Sequence, residues 1–187
     1  MHREELLNLL RQYKPENLTE EAFVAKAKIF VRNNENCFYS KLLPGHITGS
    51  AWVVDSHMER VLLLHHKKQN QWFQPGGHAD CDSDIRRVAI RETSEETGVP
   101  VENIKLISDE IFDVDMHVIP KSKYGPRHVH YDIRFLLEID RKTFIPGNDE
   151  SYDIVWALLN NVSSLNNNLS THRMVVKTRK LRNKIKL

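Results

Sequence analysis

The residue pattern of this chain predicts an α/β fold, with a mixed sheet lying between helices. Three observations carry that expectation. Segments with helical spacing of apolar residues open the chain, recur in its middle and close it. Short apolar or alternating segments of strand length lie between them, and Gly, Pro, Asn and Asp punctuate the junctions. No repeat and no linker-like stretch interrupts the 187 residues, which suit one domain, 1-187, with a sizeable core.

Met1 to Tyr13 reads as a helix with Leu6, Leu7, Leu9 and Leu10 as its apolar side, and Pro15 interrupts it. Asn17 followed by Glu20 resembles a capping box, so a second helix is expected through Ala22, Phe23, Ala25, Ala27, Ile29 and Phe30. Residues 1-36 therefore read as an N-terminal helical addition that packs on one side of the sheet. His46 to Val54 and Val61 to Leu64 read as strands around a turn near Asp55-Ser56, and Trp72-Phe73-Gln74 as a short third strand. Pro75-Gly76-Gly77 is expected to turn into a helix running from about Asp84 to Thr97, ended by Gly98, with Ile85, Val88, Ala89 and Thr93 facing the core. Asp109 to Ile119 and Val129 to Ile139 alternate as a paired hairpin around a Pro/Gly/Lys loop, and Tyr152 to Trp156 reads as a last strand. Asn160 to Ser170 reads as a loop or weak helix. Residues 171-187 form a C-terminal helix with Met174, Thr178, Leu181 and Ile185 on one stripe and Lys and Arg opposite.

Composition narrows the partners. The chain is 40% hydrophobic and 28% charged, as in an ordinary soluble domain, and no apolar run approaches the roughly 20 residues of a membrane span. Its opening residues carry acids, unlike a signal peptide. Cys37 and Cys81 stand too far apart in sequence to suggest a disulfide framework, so a reducing cytoplasm is the expected setting. The formal charge is +2, with seven Lys/Arg and no acids from Arg173 to Leu187. That tail is read as a helix end favoured by its dipole rather than as a nucleic-acid site.

The segment Gly77 to Val99 carries the chemistry. Glu92, Glu95 and Glu96 stand at i, i+3 and i+4, so a helix gathers three carboxylates on one face. They repel one another unless something neutralises them. A hard divalent cation with oxygen ligands, Mg²⁺ or Mn²⁺, would do so, and it suits a phosphate-bearing substrate. Salt bridges to Arg86, Arg87 and Arg91 are the plainer alternative.

Laid on Gly77, the segment resembles the Nudix hydrolase signature, in which G, five residues, E and seven residues precede R-E-U-x-E-E-x-G-U, U being a bulky apolar residue. Arg91, Glu92, Glu95, Glu96, Gly98 and Val99 fall in register. Ser83 replaces the first glutamate and Thr93 an apolar position. The resemblance implies an α/β/α sandwich and cleavage of a diphosphate linkage. The substrate would be a nucleoside diphosphate joined to another moiety, or a nucleoside triphosphate. It further implies metal binding by Glu92, Glu95 and Glu96, with Glu96 contributing most and a carbonyl of Gly76 or Gly77 assisting. In the family the box arginine orients the glutamates, so Arg91 takes that role in preference to a phosphate clamp. With the first glutamate gone, Asp82 or Asp84 is expected to pair with Arg91. Family members recruit the general base from different places. Glu150, in a late loop, resembles an acid that reaches the metal cluster, although an exposed loop acid would look the same. The resemblance also admits a homodimer, which no apolar stripe in the sequence decides.

A second constellation lies on the hairpin. Asp113, Asp115 and His117 share one parity, and His128, His130 and Asp132 share one on the next strand. Such a face can hold a second metal, bind substrate phosphate or supply a base; it is also what a solvated sheet face looks like. His78 either touches phosphate or caps its turn, and His65, His66, Lys67 and Lys68 add positive charge. Trp52, Trp72, Phe73, Tyr124 and Tyr131 are candidates for stacking on a base or for the core. Two other functions compete with hydrolysis. One is a catalytically silent nucleotide-binding module, supported only by Ser83 and Thr93. The other is isopentenyl-diphosphate isomerase, suggested by Cys81 and opposed by the intact Arg91 to Glu96 segment.

Overall fold

The computed structural model of the protein describes residues 2–123 and 125–185. Tyr124 lies outside them, as does the side chain of Ile185. In chain order the elements are α1 (Glu4–Gln12), α2 (Leu18–Asn33), β1 (Gly45–Val54), β2 (Arg60–His66), β3 (Gln71–Phe73) and β4 (Gly76–His78). They continue with α3 (Ile85–Thr97), β5 (Lys105–Leu106), β6 (Asp113–Ile119), β7 (His128–Glu138), β8 (Ser151–Leu158), α4 (Val162–Leu165) and α5 (Leu169–Ile185). This is an α/β protein with a mixed sheet and flanking helices, as the residue pattern predicts. Two compact units divide the chain, and β1, β7 and α3 contribute residues to both.

In the first unit α2 starts as expected. The Asn17 side chain accepts from Glu20 N at 3.0 Å and donates to Glu20 Oε1 at 2.8 Å, satisfying an orphan donor of the first turn. The buried stripe differs from the expected one: Val24, Ala27, Phe30 and Val31 are inside, whereas Ile29 is exposed. The i, i+3, i+6, i+7 spacing of that stripe is a narrow face, and alanines elsewhere had blurred it. Phe30 stacks on Tyr131 at 4.3 Å, which assigns Tyr131 to packing. β4 pairs antiparallel with β1 through Thr48↔His78, Gly49↔Gly77 and Ser50↔Gly76. The expected turn at Pro75-Gly76-Gly77 is thus corrected to a strand. Two glycines hid it, because a Gly pair carries no side-chain alternation. Gly76 has φ of +156°, and a Cβ there would stand 2.1 Å from Ser50 Oγ, so only glycine lets the strands meet. β6 and β7 form the expected hairpin, with Asp113↔Arg134, Asp115↔Asp132, His117↔His130 and Ile119↔His128 in register.

In the second unit β2 is central, paired antiparallel with β3 and β8 and, at Val54↔Val61, with the end of β1. Its Val61, Leu62, Leu63 and Leu64 are all buried, the continuous apolar run expected of a strand covered on both faces. Trp52 is fully buried and donates from Nε1 to Thr178 Oγ1 on α5 at 2.8 Å, so it serves the core. α5 buries Met174 and Thr178 as expected, but Lys177 is buried too and departs from the all-solvent basic face.

Candidate functional site

Helix α3 is fixed at both ends by local chemistry. Asp84 precedes it, accepting from Arg87 N at 3.3 Å, and Asp82 accepts from Asp84 N at 2.9 Å. Asp84 also faces Arg86 Nε at 3.7 Å, and Asp82 takes Arg87 Nε at 2.7 Å. Both aspartates thus find partners within the first turn of the helix. Gly98 ends the helix at φ +71°. Ile85, Val88, Ala89 and Thr93 are buried as expected, and Thr93 fills the position where the box carries an apolar residue.

Arg91 lies between two box carboxylates, with Nη2 2.8 Å from Glu92 Oε1 and Nη1 3.0 Å from Glu95 Oε2. Burial works against its charge, but Glu92 and Glu95 more than offset that and hold it cationic. The three glutamates differ in setting. Glu95 has a side chain 57% exposed, Glu92 one 12% exposed, and Glu96 is 8% exposed.

The turn before β8 is tied to the carboxyl end of α3. Gly147 N donates to Thr97 O at 2.8 Å and Asn148 Nδ2 to Glu95 O at 3.0 Å, satisfying carbonyls that the helix end leaves open. Glu150 N in turn donates to Asn148 Oδ1 at 2.9 Å, and Lys67 N donates to Glu150 O at 2.9 Å. The β2–β8 pairing sets His66 opposite Ser151. As a result, one ligand atom from each of His66, Glu96 and Glu150 lies within 4.8 Å of the others. Burial lowers the His66 pKa; nearby Glu150 offsets this in part and Lys68 adds to it. Two carboxylates and a nitrogen whose charge burial disfavours form a donor set that fits a divalent cation. The sequence had marked Glu96 and Glu150; His66 stood there only as positive charge.

On the hairpin face in the first unit the aspartates are buried and paired, while His117 stays exposed. Arg134, unmarked in the sequence, is fully buried among its acids. Nε lies 2.7 Å from Asp132, and Nη1 and Nη2 lie 3.2 Å from Asp113 and Asp115. Thr48 and Ser50 donate their hydroxyls to Asp132 Oδ1 at 2.8 and 2.7 Å. Burial opposes the guanidinium charge, and the three aspartates raise its pKa despite that. Asp115 belongs to this buried ion network and also faces His117 Nδ1 at 3.7 Å.

Beyond that network five imidazoles gather: His46 from β1, His78 from β4, His117 from β6, and His128 and His130 from β7. The ring centroid of His130 lies 4.6 Å from that of His46, 4.9 Å from His128, and 5.4 Å from both His78 and His117. Burial, then neighbouring histidines, pushes His130 down to about 2 and His46 down to about 4. His46 was missed in the sequence, because a single histidine in a buried apolar strand has no partner at strand spacing. Gly77 sits in β4 opposite Gly49, and His78 occupies the end of that strand.

The family model described as NUDIX domain matches residues 46–177. The chain belongs to the Nudix hydrolase family. Among curated proteins, the Nudix chain is 28% identical over 85 residues to "Probable DHNTP pyrophosphohydrolase" of Lactococcus lactis subsp. cremoris. That match covers 45% of this chain and 49% of the relative. It is 36% identical over 72 residues to "Nucleoside diphosphate-linked moiety X motif 6" of Mus musculus, covering 35% of this chain and 23% of the relative. The chain thus spans about half and about a quarter of the lengths of these relatives. Among solved structures, the C. elegans Ap4A hydrolase binary complex superposes with a TM-score of 0.58 at 18% identity, over 72% of this chain and 96% of that one. The E. coli dihydroneopterin triphosphate pyrophosphohydrolase gives 0.56 at 17% identity, over 69% and 91%. These likenesses establish the Nudix fold. No helix among the described residues is long and apolar enough to cross a membrane.

Proposed function

We propose that this chain is a Mg²⁺- or Mn²⁺-dependent pyrophosphohydrolase acting on a small cytoplasmic nucleotide, either a nucleoside diphosphate linked to another moiety or a nucleoside triphosphate. The observation that carries the reading is the convergence of Glu96 and Glu150 with His66 at the end of the box helix. Glu92, Glu95 and Glu96 would hold the cation, with Glu96 contributing most. When bound, the cation neutralises charge on the phosphate oxygens and acidifies a bound water. Arg91 keeps Glu92 and Glu95 in fixed rotamers, the positioning role of a residue that orients metal ligands. Glu150 would take a proton from the attacking water, and the bonds made by Asn148 and by Lys67 N hold its loop against the carboxyl end of the helix. Retention of all three box carboxylates favours turnover over a silent binding module.

The relative from L. lactis carries the name of a pyrophosphohydrolase of a pterin triphosphate, which widens the substrate class to nucleotide-like triphosphates. The experiment is a hydrolysis screen in Mg²⁺ and in Mn²⁺ over nucleoside triphosphates, dihydroneopterin triphosphate, dinucleoside polyphosphates, ADP-ribose and nucleotide sugars. Metal-dependent release of a phosphate or diphosphate from one class is the expected result. A folded protein that binds Mn²⁺ yet cleaves nothing in the panel would count for the binding module.

A further inference from the structure

Most of the histidine cluster has no place in the hydrolysis just described, yet its geometry is that of a built site. His46 is 1% exposed, and neither ring nitrogen makes a hydrogen bond of good geometry, the Leu42 backbone being the nearest group that helps it. A buried imidazole left in that state costs about 1–3 kcal/mol unless something takes its lone pair or its proton. One ring nitrogen of His46, one of His78 and one of His130 lie within 4.8 Å of one another. Three strands supply them: β1, β4 and β7. His128 adds a second observation. Its Nδ1 lies 2.8 Å from Pro126 O, which can only accept, so the proton is on Nδ1 and the Nε2 lone pair faces inward. An imidazole anchored through one nitrogen to a backbone carbonyl is the arrangement in which histidines ligate metals. That Nε2 is hydrogen-bonded to Nε2 of His130 at 3.0 Å, and an ion displacing the shared proton would part them to about 3.4 Å, the separation of two nitrogens on one tetrahedral ion.

We propose that His46, His78 and His130, completed by His128, form a site for a borderline divalent transition ion, Zn²⁺ foremost, that uses none of the box carboxylates as ligands. An all-imidazole set suits Zn²⁺ and disfavours Mg²⁺, which prefers oxygen. The nearby acids do not compete as ligands. Asp113, Asp115 and Asp132 are held by Arg134, and His117 borders the cluster with its Nδ1 3.7 Å from Asp115. The ion would tie β1, β4 and β7 together where the hydrogen-bonded ladder alone leaves His46 unsatisfied.

The test uses the full chain, stripped with a chelator and loaded with Co²⁺ in excess Mg²⁺, so that the Mg²⁺ occupies the box. The expected result is one Co²⁺ per chain with the intense visible absorption of a tetrahedral nitrogen site. Glu96→Gln should retain it, and His46→Ala should lose it. His78→Ala, at an exposed position less able to unfold the chain, should weaken Co²⁺ binding about 10-fold or more. X-ray absorption of the Zn²⁺-loaded wild-type protein should show three or four imidazole ligands. The proposal is overturned if the wild type holds no Co²⁺ against Mg²⁺, if Glu96→Gln alone abolishes uptake, or if fewer than three imidazoles surround the zinc.

Discussion

Arg134 shows how one side chain reorganises a face. Alternation along β7 correctly places His128, His130 and Asp132 together, but it says nothing about which group neutralises the acids. The neutralising group is the next residue of the same parity, buried with all three aspartates on it. Arg134→Leu would leave three carboxylates buried without their cation, and it should cost about 3–5 kcal/mol or prevent folding. Urea unfolding of the variant checks this, and a loss below about 1 kcal/mol would show that the network is less buried than its geometry indicates. His46 is the opposite case. Its role depends on rings from β4 and β7, sequence-distant residues, so no local pattern could have found it. Glu92, Glu95 and Glu96 were legible because i, i+3 and i+4 spacing is local. What their spacing does not tell is that exposure separates Glu95 from the other two. Glu95→Gln should accordingly reduce turnover less than Glu92→Gln, and the reverse order would reject a ranking by exposure.

At the scale of elements, α3 acts through its ends. Its start rests on the Asp84 cap, so Asp84→Ala should lower stability by about 0.5–2 kcal/mol, read by urea unfolding. Its end rests on Gly98, where a Cβ would meet Pro146 Cγ at 2.4 Å and where φ is +71°. Gly98→Ala should therefore destabilise by about 1–3 kcal/mol and displace the 146–150 turn that carries Glu150. The variant should lose kcat more than it raises KM, and unchanged kinetics would disconnect that turn from catalysis. Helices α2, α3 and α5 and the strands β1, β2, β6 and β7 were legible because each has its own period and its own caps. β4 was not, since its two glycines carry no alternation, nor was β5, whose two residues exist as a strand only through their partner.

For the whole molecule, the least legible feature is the β2–β8 pairing, which sets Leu62 opposite Trp156 and brings Glu150 to His66 from far along the chain. Loop closure over such a distance leaves no trace in local composition. The histidine cluster also gives the metal-free protein a pH signature. His46 and His130 titrate near 6.5 when unfolded, but in the fold they fall to about 4 and about 2 respectively, through burial first and neighbouring histidines second. Below 6.5 the unfolded state binds more protons, so stability falls on acidification, from that pH toward the folded values. The slope approaches about 1.4 kcal/mol per pH unit for each histidine. Urea midpoints of the chelated protein at about pH 7.5 and about pH 5.5 should differ accordingly, and His46→Leu should reduce the difference. A flat profile would mean that the rings are more hydrated than their packing indicates.

The central claim is that a cation held at Glu96 drives cleavage of a diphosphate linkage. It is tested most directly by kcat for the substrate found in the screen, measured on the wild type and on Glu96→Gln across a Mg²⁺ titration. The account predicts a fall of about 100-fold or more at saturating Mg²⁺, with circular dichroism and melting unchanged. A Glu96→Gln enzyme within about two-fold of the wild type would contradict it, because the loss of an inner ligand cannot leave a metal-driven step untouched.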